Sequence, residues 1–213
     1  MSNVKLIWDV PNTDGHLGYI ARVSNPDNQD NPSVEGLLKY MMREGHTSPF
    51  EMVCACIEIN TTRDIGRQIL RHRSFSFQEF SQRYEDVSKL EAAPFRECRL
   101  QDAKNRQSSL ETDEENLVWW WNNLQQNHIE DSMRRYRSAL GQGIAKEQAR
   151  ALLPEGLTPS RMYMQGNFRS WIFYLKQRLH PSTQKEHRLI AQQILAILRK
   201  TAPITMAAFF GEE

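Results

Sequence analysis

The spacing of the apolar residues changes twice between residues 50 and 80, and these two changes constrain the fold most. Residues 50–60 (FEMVCACIEIN) are rich in residues that favour strands and predict a β-strand. From Thr61 the apolar residues follow the spacing of an α-helix, which Thr61 or Thr62 can cap. Residues 74–80 (SFSFQEF) alternate aromatic and polar side chains and predict a second strand or extended loop. This succession predicts a mixed fold of strands and helices.

The rest of the chain predicts an opening strand and a helix-rich second half. Residues 4–10 are predicted to form a strand, followed by a turn over residues 11–18 and an irregular surface segment over residues 85–110. Helices are predicted over residues 20–24, 34–45 (capped by Ser33 and ended by Gly45), 112–141 (opened by Thr112), 144–153, 167–179 and 183–200. The sequence shows no internal repeat or clear linker, so residues 1–213 are predicted to form a single domain.

The charge balance excludes some classes of protein. The chain has 27 basic and 26 acidic side chains, and this net charge of +1 argues against a general nucleic-acid coat protein or a polybasic membrane binder. No apolar stretch reaches the roughly 18 residues of a membrane helix, and the first residues lack the apolar segment of a signal peptide. We therefore expect a cytosolic protein.

Arginine dominates the basic residues, with 19 arginines against 8 lysines. Residues 61–83 carry a net charge of +3 and residues 161–188 carry +5, so the remaining chain carries −7. Because a guanidinium group grips phosphate or carboxylate through two parallel hydrogen bonds, these basic segments indicate anion binding. Codon bias is the alternative explanation of the arginine excess.

The first basic segment contains three arginines spaced by four residues, which would share one face of the predicted helix: Arg63, Arg67 and Arg71. Glu79, Ser81 and Arg83 then alternate and would share one face of an extended segment. Cations and a hydroxyl group converging with one carboxylate suit a phosphorylated ligand. A solvated basic helix end is the alternative.

The second basic segment places Arg169 and Arg178 on a strongly apolar predicted helix. Such arginines usually extend to solvent or pair with an acid, but they also form buried anion sites. Asn167, Arg169 and Gln184 have the donors and acceptors to recognise the amide-like edges of a base or a flavin. Alone, this segment indicates a nucleotide-related site and no particular reaction.

Several familiar signatures are absent from the sequence. Cys54, Cys56 and Cys98 match no zinc or redox spacing, and the first two are predicted to act as small apolar residues on one strand face. A catalytic thiol remains an alternative. The chain has no GxGxxG, P-loop, GxSxG or HExxH motif, so we expect no metal site and no dinucleotide held by a Rossmann turn.

The segment RHRSFSFQEFS at residues 71–81 resembles the signature of the flavin-dependent thymidylate synthases, the ThyX family. Other segments resemble that family in its order and near its spacing: ARVS (21–24), GHTSPFE (45–51), Gln68, SQRY (81–84), EQARALLP (147–154), NFRS (167–170) and LKQR (175–178). The resemblance covers about residues 20–210, nearly the whole chain.

The resemblance implies a fold and a reaction. It implies an α/β (α+β) fold with a central, mostly antiparallel sheet and long helices. The chain would be a homotetramer with active sites shared between subunits, and it would have small-molecule substrates, no nucleic-acid partner and no membrane association. It would convert dUMP to dTMP, with 5,10-methylenetetrahydrofolate as carbon donor, NADPH as reductant and FAD as cofactor.

The resemblance also implies roles for individual residues. The implied FAD contacts are Ser48, Arg71, His72, Arg73, Glu79, Asn167, Arg169 and Phe173. The implied dUMP contacts are Gln68, Arg71, Glu79, Phe80, Ser81, Gln82, Arg83, Arg150 and Arg178. Arg83 and Arg150 would bind the phosphate. Arg178 would favour ionisation of the pyrimidine at N3, which removes the need for an attacking cysteine.

The sequence departs from the family pattern at four places, which include EGLTPSR (155–161), one residue longer than in some relatives, and HPSTQKEH (180–187), in which Gln184 and Glu186 match better than the rest. Phe173 stands where the family often has a polar flavin contact, and Met52 replaces a frequent histidine. Two alternatives to a thymidylate synthase also remain: a non-catalytic nucleotide- or RNA-binding module, and a degenerate member that oxidises NADPH without methylating dUMP. Ser81 as a nucleophile is a further alternative, although no base is evident to activate it.

Overall fold

The computed structural model describes residues 2–212 and has an α+β architecture, as predicted. Its strands are β1 (Asn3–Asp9), β2 (Cys54–Thr62), β3 (Ser76–Glu79), β4 (Arg99–Gln101), β5 (Ser109–Glu111) and β6 (Pro159–Asn167). Its α-helices are α1 (Thr13–Ala21), α2 (Glu35–Glu44), α3 (Arg63–Ile69), α4 (Glu115–Gly141), α5 (Lys146–Ala149), α6 (Phe168–Arg178), α7 (Lys185–Thr201) and α8 (Pro203–Phe210). None of these helices has the length and apolar character needed to cross a membrane.

Four strands form one sheet in the order β1-β2-β6-β3. Just after β6, the amide of Phe168 donates a 2.9 Å hydrogen bond to the carbonyl of Val53, which precedes β2. Near the start of β6, Arg161 Nε donates a 2.9 Å hydrogen bond to Oδ1 of Asn60, near the end of β2. The end of one strand thus meets the start of the other, which makes β2 and β6 antiparallel.

The pairing of β3 with β6 is antiparallel as well. The amide of Phe80 donates a 2.8 Å hydrogen bond to the carbonyl of Arg161, and the ring of Phe75 lies against Gly166. A Cβ atom on Gly166 would come within 2.4 Å of that ring, so only glycine permits the close approach. Phe75 also packs edge-on against Trp171, with ring centroids 4.6 Å apart.

The chain divides into two compact units. The first unit contains Asn60–Arg71 and Glu79–Met162, and the second contains Asn3–Ile59, His72–Gln78 and the residues from Tyr163 onward. Strands β2, β3 and β6 each have residues in both units.

The core of the second unit is formed by helices packed on one another and on β1. Helix α8 packs against α2 and α7, and α7 packs against α6 and β1. The buried side chains of this unit include Leu17, Leu38, Phe50, Ile57, Trp171, Ile190, Ile194 and Leu198. Helix α7 buries its side chains at intervals of three and four residues, as an amphipathic helix does.

The core of the first unit includes a cluster of Val87, Tyr136 and Ala149. The long helix α4 supplies Tyr136 and packs against α5 and the 3₁₀ turn that follows it, Arg150–Leu152. Strands β4 and β5 form a separate antiparallel pair within a segment predicted to be irregular. Ile65 and Ile69 on α3 are fully buried, whereas the arginines of this helix are at least partly exposed.

Helix α1 begins earlier than predicted, at a place where the sequence indicated a turn. Its Asp14 carboxylate is buried and accepts hydrogen bonds from the backbone amides of Ile204 (2.8 Å) and Thr205 (3.1 Å) at the start of α8. The hydroxyl of Thr205 donates a third bond, of 2.5 Å. Helix α8 was not predicted, so the stabilisation of its N-terminus by Asp14 could not be anticipated either.

The predicted arginine face is shorter than expected. Helix α3 ends at Ile69, so Arg71 lies beyond the helix and does not continue the face of Arg63 and Arg67. Similarly, β3 ends at Glu79 and the chain then turns, so the predicted strand face shared by Glu79, Ser81 and Arg83 is wrong.

Other predicted boundaries also shift. Strand β6 was missed altogether, and the helix predicted over residues 144–153 is α5 followed by a 3₁₀ turn. Val34, and not Ser33, is the N-cap residue of α2, whereas Gly45 ends that helix with a positive φ of 71°, as expected. Helix α4 starts three residues later than predicted, after the N-cap residue Glu114.

Candidate active site

In the second unit, the signature histidine contacts the arginine predicted to activate the pyrimidine. Arg178 Nε donates a 2.8 Å hydrogen bond to Nε2 of His72, and both side chains are partly buried. A guanidinium nitrogen can only donate, so Nε2 of His72 must carry a lone pair. His72 is therefore neutral, with its ring proton on Nδ1.

A second polar pair lies beside this contact. The Tyr174 hydroxyl is 3.1 Å from Nε2 of His187, and both side chains are buried. Burial lowers the pKa of His187 to about 3, with Arg178 acting in the same direction, so His187 is neutral at physiological pH. Burial raises the pKa of Tyr174 well above its usual value, although the charge of Arg178 opposes this effect.

The start of α6 brings two of the sequence motifs together within the second unit. Arg169 Nε donates a 3.1 Å hydrogen bond to the hydroxyl oxygen of Thr47, and its Nη1 lies 3.4 Å from Oε1 of Glu51. Its guanidinium carbon lies 5.2 Å from the centroid of the Phe173 ring. The GHTSPFE and NFRS motifs thus come together at this helix end, next to Ser48.

Asn167 has a structural role at the same place. It is the N-cap residue of α6, where its Oδ1 accepts a 2.8 Å hydrogen bond from the amide of Ser170. The hydroxyl of Ser170 donates a 3.1 Å bond to the carbonyl of Ser74, which follows the exposed Arg73 in the signature. The signature and NFRS motifs are therefore neighbours in the second unit.

In the first unit, Glu79 is held by two donors. Its Oε1 accepts a 2.6 Å hydrogen bond from the hydroxyl of the buried Ser160 and lies 3.6 Å from Nη1 of Arg63. The side chains of Arg63 and Glu79 are only 14% and 22% exposed, so solvent screens this ion pair less than a surface pair. Gly66 of α3 lies next to Glu79 as well.

The two predicted phosphate ligands meet at Glu147. Arg83 Nε lies 3.5 Å from Oε2 of Glu147, and Arg150 Nε donates a 3.2 Å hydrogen bond to the carbonyl of Glu147. Lys146 adds a third cation and donates a 2.9 Å hydrogen bond to the carbonyl of Tyr84. The first unit thus concentrates positive charge at a place that sequence spacing alone did not indicate.

The remaining predicted substrate residues also lie in the first unit. Gln68 lies on α3, Arg71 is exposed just after that helix, and Ser81 lies in the turn after β3. Phe80 is partly buried, and its amide pairs with β6. Gln82 is only 4% exposed, and within residues 2–212 its Nε2 has no hydrogen-bond partner. A buried donor without a partner is rare in a folded chain, which fits a polar ligand at this place.

Four contact residues were missed by sequence reasoning. Thr47 and Ser160 are small polar residues that bind predicted site residues, and Tyr174 and His187 lie on apolar helix faces. Thr47 lies inside a recognised motif, which was a usable signal. Ser160 lies 81 positions from Glu79, and Tyr174 and His187 are 13 positions apart on two different helices, so no local pattern indicates these contacts.

The cysteines and potential metal ligands of the described residues indicate no further chemistry. All three cysteines are free thiols, and burial raises the pKa of Cys56, which keeps it in the poorly nucleophilic protonated form. Residues 2–212 contain no cluster of histidine, cysteine and carboxylate side chains that could bind a metal ion.

The fold and these arginine-rich sites define an α+β protein built to bind anionic, nucleotide-like ligands. A family model described as thymidylate synthase complementing protein (Thy1) matches residues 5–204. The chain is 50% identical over 195 residues to a flavin-dependent thymidylate synthase of Synechocystis sp., an alignment that covers 92% of this chain and 88% of the relative. It is 47% identical over 188 residues to a probable flavin-dependent thymidylate synthase of Paramecium bursaria Chlorella virus 1, covering 88% and 86% of the two chains.

A solved structure agrees with these relatives. The UMP/dUMP methylase PolB from Streptomyces cacaoi, bound with 5-Br dUMP, matches with a TM-score of 0.83 and 29% identity and covers 98% of this chain and 94% of its own. The chain therefore belongs to the Thy1 family, the family of the flavin-dependent thymidylate synthases. The resemblance identified from the sequence motifs is confirmed.

Proposed function

We propose that the chain methylates dUMP to dTMP, with FAD as cofactor, 5,10-methylenetetrahydrofolate as carbon donor and NADPH as reductant. The match of residues 5–204 to the family model carries this proposal. The names of the two relatives and the dUMP analogue bound to the solved neighbour agree with it.

The phosphate of dUMP would bind in the first unit. Arg83 and Arg150 supply guanidinium groups that converge on Glu147, and a guanidinium fork matches the oxygens of a phosphate. When dUMP binds, Arg83 would exchange the carboxylate of Glu147 for the phosphate. Glu79, fixed by Ser160 and Arg63, would accept a hydrogen bond from the nucleotide.

The pyrimidine would be activated by Arg178. Its Nε is bound to His72, so the orientation of the guanidinium plane is set before a substrate arrives. A fixed cation in a partly buried site stabilises negative charge that develops at N3 of the pyrimidine. This electrostatic activation needs no attacking thiol, which agrees with the protonated Cys56.

The second unit offers a donor set that fits FAD. The arginines Arg73 and Arg169 suit its diphosphate, and Ser48, His72 and Asn167 suit its polar edges. The resemblance of the sequence motifs also implies flavin contacts by Arg71 and Glu79, which belong to the first unit. Phe173 is 49% exposed and would offer an apolar face in place of the polar contact frequent in the family. When bound, the flavin supplies two-electron transfer from NADPH.

The proposal includes an assembly and a location. We propose that residues 1–213 act as one catalytic domain in a cytoplasmic homotetramer whose active sites combine residues of several subunits. The resemblance of the sequence motifs supports this assembly. The small-molecule substrates are the expected partners, with no nucleic acid or membrane.

Flavin content and product formation test the proposal. The purified protein should show a flavin absorbance spectrum and should form dTMP from dUMP in the presence of methylenetetrahydrofolate and NADPH. UMP should be run in parallel, because the solved neighbour is described as a UMP/dUMP methylase. Absence of turnover with FAD fully bound would contradict the proposed reaction.

Two further measurements separate the alternatives. NADPH oxidation without dTMP formation would identify a degenerate member of the family. Salt-dependent RNA binding without flavin uptake would identify a nucleic-acid-binding module.

A further inference from the structure

Four polar side chains form a cluster in the second unit: His72, Tyr174, Arg178 and His187. Two hydrogen bonds join them in pairs, Arg178 to His72 at 2.8 Å and Tyr174 to His187 at 3.1 Å. The pairs touch through their rings, because the Tyr174 ring meets the His72 ring edge-on with centroids 4.8 Å apart. The His187 ring lies 6.4 Å from the His72 ring.

The polar groups of Tyr174 and His187 require an explanation beyond packing. Both side chains lie in the core, at 1% and 0% exposure, where an apolar pair would fill the space without any desolvation cost. A buried hydroxyl and a buried imidazole are tolerated when they satisfy each other, as they do here. Their hydrogen bond fixes the Tyr174 ring in one orientation, and that ring is the surface against which His72 rests.

We propose that Tyr174 and His187 are positioning residues, which hold His72 and, through it, the guanidinium group of Arg178 in the orientation that the reaction uses. This inference rests on the proposed function, because it assumes that Arg178 acts on the pyrimidine. Neither residue touches the substrate in this role. They act on Arg178 through the ring contact between Tyr174 and His72 and through the hydrogen bond between His72 and Arg178.

The role predicts a defined kinetic pattern in the holoenzyme. Tyr174→Phe removes the hydroxyl and keeps the ring, and His187→Leu removes the imidazole. Each should lower kcat per bound flavin about three- to tenfold, the range of one hydrogen bond, with the KM for dUMP unchanged within about twofold. His187→Gln retains a side-chain hydrogen-bond partner for Tyr174 and should restore most of the activity.

A double variant separates positioning from general damage. Arg178→Lys removes the Nε donor to His72, so adding Tyr174→Phe to it should cause no further loss of kcat. Tyr136→Phe is the matched control, since Tyr136 is equally buried but belongs to the cluster of Val87 and Ala149. It should leave kcat unchanged.

A measurement without turnover tests the same inference. In ¹⁵N-histidine NMR spectra, His72 of the wild type should show the tautomer with its proton on Nδ1, and Tyr174→Phe should convert this signal to a tautomer mixture. An unchanged His72 signal together with full kcat in Tyr174→Phe and His187→Leu would overturn the inference, and so would an equal loss in Tyr136→Phe. A wild type that forms no dTMP contradicts the proposed function instead, and the His72 signal then decides the inference alone.

Discussion

The hydroxyl of Ser160 donates a 2.6 Å hydrogen bond to the carboxylate of Glu79, and the two residues are 81 positions apart in the chain. Ser160 is 3% exposed, so water does not replace it easily. The bond holds Glu79 next to Arg63 in the first unit. A carboxylate held in this way is oriented before its ligand binds.

Loss of this hydrogen bond should weaken dUMP binding. In Ser160→Ala, Glu79 loses a charge-assisted bond and samples several orientations, so we expect the KM for dUMP to rise about three- to tenfold. Steady-state kinetics of dTMP formation measure the change. Ser109→Ala, at an exposed serine of the same unit, is the control and should match the wild type. An unchanged KM in Ser160→Ala would show that Glu79 does not contact the nucleotide.

Removing the charge of Glu147 should have the opposite effect. Glu147→Gln keeps helix α5 and the backbone carbonyl that accepts a hydrogen bond from Arg150. The neutral amide, however, no longer competes with phosphate for Arg83. Because the pair is exposed, we expect a modest fall in the KM for dUMP, of about two- to fivefold. Affinity for deoxyuridine, which lacks the phosphate, should not change.

A matched variant checks that the effect of Glu147→Gln is local. Glu115→Gln removes the same charge from an exposed site at the start of α4 and should leave the KM unchanged. A higher KM in Glu147→Gln would mean that the carboxylate assists binding and that Arg83 is not a phosphate ligand.

The buried His187 should make the fold sensitive to acid. Its pKa is lowered to about 3 in the folded chain, whereas the ordinary value is 6.5. Between these values the unfolded chain binds a proton that the folded chain does not, so stability is lost as the pH falls below about 6.5. This one group contributes a slope of about 1.4 kcal/mol per pH unit.

Urea unfolding at pH values from 7 to 4 covers most of the range between the two pKa values, about 3 and 6.5, and measures this slope. His187→Gln should flatten the fall in the free energy of unfolding, because glutamine does not titrate. His16→Gln, at an exposed histidine, should retain the full wild-type slope. Equal slopes in the wild type and His187→Gln would contradict a buried neutral imidazole.

The mechanism without a thiol predicts a clear order of activities. Arg178→Ala should lower kcat about 100-fold or more, the usual effect of removing a preorganised electrostatic group. Cys54→Ala, Cys56→Ala and Cys98→Ala should each retain activity within about threefold, a change of less than 1 kcal/mol. Loss of turnover in one cysteine variant with an intact fold would instead support a thiol nucleophile.

Local sequence patterns predicted much of the first half of the fold. Strand β2 is rich in β-branched and apolar residues, and α3 follows it with a clear helical spacing, so both were predicted, although β2 begins at Cys54 and not at residue 50. Strand β6 was missed because its buried positions include Met162, Met164 and Gly166, which are not strand-favouring residues. Its alternating burial comes from its place in the sheet between β2 and β3.

The candidate site was accessible from the sequence only in part. Motif resemblance indicated His72 and Arg178, but the hydrogen bond between them joins residues 106 positions apart, which no periodicity can predict. The meeting of Arg83 and Arg150 at Glu147 likewise depends on tertiary packing. Sequence patterns indicate which residues do chemistry, and the fold decides which of them meet.

The four-residue cluster around Arg178 also has an electrical consequence. His72 accepts a hydrogen bond from Arg178, and burial keeps His187 neutral near neutral pH. Both histidines of the cluster are therefore uncharged in this arrangement. The cluster then has a net charge of one, located entirely on Arg178. A ligand that gains one negative charge beside it is balanced one to one, and His187, whose pKa is lowered to about 3, does not change that balance as the pH varies around neutrality.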